Sequence, residues 1–91
     1  MVSYAFNPQT VLDEAQLQSL RAKLMNPDAG IVLRAKGFLR DTAGEMKLYQ
    51  MVRNSDTLTP CSYDGDQKFV VIGRDIEPGE FEQLLGHHTH N

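Results

Sequence analysis

Two segments of alternating side-chain character, residues 31–40 and 45–53, stand on either side of Asp41-Thr42-Ala43-Gly44. In the first, Ile31, Leu33, Ala35, Gly37 and Leu39 share one parity, and Val32, Arg34, Lys36, Phe38 and Arg40 share the other. In the second, Met46, Leu48, Gln50 and Val52 alternate with Lys47, Tyr49, Met51 and Arg53. A period of two belongs to a strand, whose successive side chains point to opposite faces. Gly44 suits the positive φ that closes a short loop, so the pair reads as a hairpin. A hairpin is marginal alone, so the rest of the chain must supply further strands and a cover for its apolar face.

The other segments meet that demand. Val2, Tyr4 and Phe6 alternate in a leading strand that Asn7-Pro8 interrupts. A helix is expected over residues 13–25. Asp13 and Gln16 have capping-box spacing, with Leu12 and Leu17 placed as a staple, and Leu17, Leu20 and Leu24 form one stripe. Asn26-Pro27-Asp28 ends it. Asn54-Ser55-Asp56 reads as a turn. Residues 57–63 are an edge or bulged strand, because Pro60 donates no ladder hydrogen bond. Residues 68–73 are nearly all apolar, the pattern of a strand buried on both faces. Pro78 opens a second helix carrying Phe81, Leu84 and Leu85, and Gly86 closes it. The order is β-α-β-β-β-β-α. The expected fold is α+β: a small, mainly antiparallel sheet of four to five strands with two helices on one face. Residues 1–86 form one domain and residues 87–91 a flexible His-rich tail.

Composition narrows the function classes. The chain has 91 residues, enough for one domain, and its 41% hydrophobic and 23% charged content are those of a folded protein. Nine Lys+Arg against twelve Asp+Glu give a net charge of -3, which disfavours affinity built on phosphate neutralisation, so no nucleic-acid partner is expected. A single cysteine, Cys61, excludes an intramolecular disulfide and fits a reducing compartment. The N-terminus has no signal-peptide pattern and no apolar run reaches the length of a membrane span, so a cytoplasmic location without membrane contact is expected.

Few residues carry legible chemistry. His87, His88 and His90 are candidate ligands for a divalent transition metal such as zinc or cobalt. His87 and His90 would share a face if the second helix ran past Gly86. A terminal segment is also expected to be mobile, and no acid or cysteine is adjacent to complete a fixed site. Arg34 and Lys36 are candidates for an anion- or partner-binding patch, joined by Arg74 at the exit of the last long strand. For Arg34 and Lys36 the favoured reading is a solvated or helix-covering face over which their apolar stems pack, and for Arg74 it is a pair with Asp75 that fixes the turn into the next helix. Cys61 has no neighbouring base to lower its pKa. No phosphate-cradling glycine motif and no nucleophile–base grouping occurs, so no enzyme is expected.

Leu33-Arg34-Ala35-Lys36-Gly37-Phe38-Leu39, followed by Phe69-Val70-Val71-Ile72-Gly73-Arg74-Asp75, resembles the C-terminal domain of CobW-type GTPases. The resemblance covers roughly residues 2–85. It implies a place in cobalamin synthesis or metal homeostasis, in the manner of a metallochaperone. The Walker loop, the Asn-Lys-x-Asp motif and the Cys-x-Cys-Cys motif of the family's GTPase domain do not occur here, nor does a tryptophan near the last strand. The resemblance therefore implies a non-catalytic accessory domain that contacts a GTPase domain, a client metalloprotein or a second copy of itself. The alternative is a stand-alone binder of a metal ion or small molecule, using the His tail or a groove between sheet and helices.

Overall fold

The computed structural model describes residues 1–8 and 11–90, except for the side chain of His90. The elements are β1 (Val2–Phe6), α1 (Glu14–Met25), β2 (Ile31–Arg40), β3 (Met46–Val52), β4 (Ser55–Pro60), β5 (Phe69–Arg74), α2 (Gly79–Leu85) and β6 (His88–His90). One six-stranded sheet has the order β4-β3-β2-β5-β1-β6. Every pairing in it is antiparallel.

The central hairpin forms as its alternation requires. Asp41 closes the loop by accepting from the backbone N–H groups of Ala43 and Glu45 at 3.0 and 2.9 Å, and Gly44 sits at φ +83°. These hydrogen bonds, that to Glu45 foremost, hold the Asp41 carboxyl below its ordinary pKa. α1 begins with the expected capping box: Gln16 N–H donates to Asp13 Oδ1 at 2.8 Å, and Asp13 N–H donates to Gln16 Oε1 at 2.9 Å.

Both helices bury their apolar residues against one face of the sheet. Leu20 and Leu24 of α1 and Phe81 and Leu85 of α2 join Phe6, Ala35, Leu39, Tyr49, Met51, Phe69 and Val71 in a single cluster. At its centre the Tyr49 and Phe69 rings stack with centroids 5.8 Å apart. Gly37 pairs with both residues, so it occupies the strand position between them. A Cβ on Gly37 would lie within 2.6 Å of Phe69 Cα and Cγ. The absent side chain is what lets the Phe69 ring lie over β2.

The structure corrects four details of the sequence reading. Register shifts between Val32 and Arg34 on β2, leaving Leu33 as the extra residue of a bulge. Val32 therefore enters the core, while Ile31 is 44% exposed and does not share a face with Ala35. The bulge is built beside Gly73, where an added Cβ would collide with the Ile31 carbonyl. Second, β5 is buried on one face only: Phe69, Val71 and Gly73 are buried, while Val70 and Ile72 are only partly covered. Third, the turn after β3 is Arg53-Asn54, both at positive φ, so β4 begins at Ser55. Fourth, the sheet has six strands, because residues 88–90 pair with β1 as β6.

Gly37→Ala is expected to destabilise the domain by about 1–3 kcal/mol, the cost of overpacking a core with no slack. Lys36→Ala, one residue away on the opposite face, should change stability by less than about 0.5 kcal/mol. Urea unfolding of the two variants checks both values, and equal losses would contradict the packing described.

Candidate functional site

With both helices on one side, the other face of the sheet is left uncovered by this chain's described elements. Its pattern follows from the pairing register. Arg34 of β2 lies between Val52 of β3 and Ile72 of β5, and Lys36 lies between Gln50 and Val70. Phe38 pairs with Leu48, and its backbone N–H donates to the Lys68 carbonyl on the opposite side at 3.3 Å. A cationic line thus runs along β2 with mainly apolar residues on both flanks. Arg34 and Lys36 are exposed, with stems available to cover those neighbours.

These residues form a groove of about 520 Å³ that also takes in Lys68. No carboxylate lines it. A second depression of about 580 Å³ shares Phe38 and Lys68 with the first, continues past Tyr63 to His87 and Thr89, and has one carboxylate in its lining, Asp66. Phe38 and Tyr63 pack with ring centroids 4.3 Å apart and planes tilted by 30°, forming an aromatic step where the two depressions meet. Among the described residues, the acidic partners of other cations lie elsewhere: Asp56 binds Arg21, Asp64 binds Arg40 and Asp41 is near Lys47. Among the described residues, Arg34, Lys36 and Lys68 have no carboxylate partner in an ion pair.

Two of the three candidate partner-binding residues line this groove, and Arg74 lies outside its lining. Arg34 and Lys36 line the groove, and Arg74 follows Val70 and Ile72 on the same parity of β5, exposed at its end. Sequence reasoning missed Lys68 and the Phe38–Tyr63 step. The signal for Lys68 was the parity it shares with Val70 and Ile72, obscured because those residues made the strand look buried on both sides; the Phe38–Tyr63 step joins β2 to the segment before β5 and had no local signal.

The histidines are arranged differently from the helical spacing considered above. α2 ends at Leu85, and Gly86 at φ +79° turns the chain into β6. His87 is fully exposed with Nδ1 3.8 Å from Glu82 Oε2, and His88 Nδ1 lies 2.9 Å from the same oxygen. The His88 ring also meets Tyr4 edge-on at 5.3 Å. The hydrogen bond with His88 holds the Glu82 carboxyl below its ordinary pKa. Register places His90 opposite Tyr4, and its side chain lies outside the described residues. Among the described residues, no group of three or more His, Cys, Asp or Glu side chains is placed to hold a metal ion. The donor set that is described, two imidazoles turned to one carboxylate, does not make a closed metal site.

One further polar network lies on the helix side and ties α1 to the hairpin. Arg21 donates to both Asp56 carboxylate oxygens at 2.8 and 2.9 Å, and the Tyr49 hydroxyl donates to Oδ2 at 3.0 Å. The bidentate Arg21 contact is the main cause that lowers the Asp56 pKa, while burial is the main cause that raises that of Tyr49. The network clamps Tyr49 in the core and faces away from the groove. A carboxyl whose folded pKa is depressed stabilises the fold above its unfolded pKa, and that contribution disappears as pH falls through the folded value. Asp56→Asn should therefore flatten the loss of stability on acidification below about pH 4, the ordinary carboxylate range. Urea unfolding between neutral and acid pH reads this directly. An unchanged acid limb would contradict the assignment.

The geometry defines a class, a two-layer α+β module whose broad sheet face is open and whose cations on that face lack acidic partners among the described residues. The family model described as the cobalamin synthesis protein cobW C-terminal domain matches residues 1–88, and the chain belongs to that family. Comparison with curated proteins and with solved structures found no match. No helix among the described residues is long and apolar enough to cross a membrane.

Proposed function

We propose that this chain is a non-catalytic accessory domain that uses its uncovered sheet face to bind a protein partner, the foremost being a GTPase domain of the CobW type. The observation that carries this reading is the one-sided burial of the sheet. Val52 is 54% exposed, and Val70 and Ile72 are only partly covered on a face that neither helix packs against and that, among the described residues, Tyr63 covers at Phe38. Exposed apolar residues flanking a line of cations are the mixed surface of a recognition site. Membership of a C-terminal domain family points the same way, because such a module is joined to other parts of a larger machine.

Catalysis is not part of the proposal. Cys61, the free thiol, is partly buried in the segment after β4 and has no histidine beside it in the sequence. The part-buried network Arg21–Asp56–Tyr49 holds α1 to the sheet. The purified chain is expected to release no phosphate from GTP, and steady turnover in a phosphate-release assay would overturn the accessory role.

Binding to a GTPase domain of the CobW type from the same organism, measured by titration calorimetry, tests the surface. Val70→Glu is expected to weaken binding at least tenfold, because it removes an apolar contact and sets a carboxylate beside Lys36, its cross-strand neighbour on β2. Its unfolding free energy should stay within about 1 kcal/mol of the parent, the span of strand propensities at a half-exposed site. Ser19→Glu, on the exposed side of α1, is the control that should leave binding intact. If Val70→Glu binds as well as the parent, the uncovered face is not the contact surface.

A further inference from the structure

Resting on the reading of the uncovered face as the contact surface, we infer that its occupant is an acidic amphipathic helix lying along β2, with carboxylates facing Arg34 and Lys36 and apolar residues on either side of that acidic stripe. The width of the site favours a helix. The groove spans β3, β2 and β5, three neighbouring strands whose outer pair lie about 9.6 Å apart, close to the ~10 Å diameter of an α-helix with its side chains. An extended chain laid along β2 would cover the cations and leave Val52, Val70 and Ile72 in water. A helix reaches all three strands at once, and helices on both faces are a standard way for a sheet to finish burying itself.

The longitudinal spacing agrees. Arg34 and Lys36 are two residues apart on one strand, about 6.7 Å at their Cα atoms. Carboxylates at i and i+4 of a helix are separated by about 6 Å along its axis, within reach of both long cationic side chains. Beyond Lys36 the same line continues into Phe38 and its stacked partner Tyr63, an anchor for a large apolar side chain one turn further on.

Charge selects the sign of the partner. The whole chain carries a net charge of -3, yet the groove over β2 is lined by Arg34, Lys36 and Lys68 with no carboxylate, and a single one, Asp66, lines the adjoining depression beyond Phe38. A second copy applied face to face would bring the same cations against each other, which costs affinity. A nucleic acid would meet only these few cations, separated by Val70 and Phe38 rather than by further phosphate donors.

The probe is a fluorescein-labelled, alanine-based helical peptide of eighteen residues with Glu at i, i+4 and i+8 and Leu on both sides of that stripe. Fluorescence anisotropy with the full chain should show saturable binding. Affinity should fall at least tenfold when the Glu residues become Gln, when they become Lys, or when the same composition is scrambled to destroy the stripe. In this chain, Arg34→Ala/Lys36→Ala should cause a similar loss while the unfolding midpoint is retained. A scrambled peptide that binds equally well, or an oligodeoxythymidylate that binds more tightly than the Glu peptide, would overturn the proposal. If Val70→Glu abolishes GTPase-domain binding but Arg34→Ala/Lys36→Ala does not, the acidic helix is wrong and the contact surface stands. If neither variant affects that binding, both readings fall.

Discussion

Everything in this domain is referred to the place where the Tyr49 and Phe69 rings stack across Gly37. The rings need a strand position with no side chain, and β2 supplies one at the centre of its pairings with β3 and β5. Once Gly37 is fixed under the helices, the parity of β2 is fixed too. A slip of one residue would move Arg34 and Lys36 into a core that, among the described residues, contains no buried charged group. The Arg21–Asp56–Tyr49 clamp holds one ring from outside the sheet, so α1 and the hairpin define each other's position.

This constraint divides the segment 34–38 into two sets. Ala35 and Gly37 are small because the helices and aromatic rings occupy the space beside them. Arg34, Lys36 and Phe38 are free of that demand and are presented together on the other face. The structural set therefore organises the recognition set, since each core residue determines the direction of its neighbours. The proposed contact surface is thus a consequence of how the core is built. Its apolar members, Val52, Val70 and Ile72, enter by the same rule applied to β3 and β5.

The sequence made much of this visible. The alternation in the hairpin, the Asp13–Gln16 capping box and the Gly86 helix stop each have a local cause, so they were readable from short stretches. The bulge at Leu33 was not, because it arises from the close approach of Ile31 to Gly73, residues far apart in the chain. β6 is only three residues long and pairs with the opposite end of the chain, too little pattern to register as a strand. At the site, Arg34, Lys36 and Arg74 were readable as candidates, but their common face was not. That required knowing that β5 lies beside β2. The apolar run 69–72 read as doubly buried because hydrophobicity alone does not distinguish a face covered within the chain from one left open.

The proposed contact surface requires that a partner land on the open face of the sheet. Backbone amide shifts of the isotopically labelled chain, followed by NMR during addition of a CobW-type GTPase domain, locate that contact residue by residue. The largest changes are expected on Arg34, Lys36, Phe38, Lys68, Val70 and Ile72, with α1 and α2 little affected. Changes confined to the exposed surfaces of the two helices, with β2 and β5 silent, would contradict it.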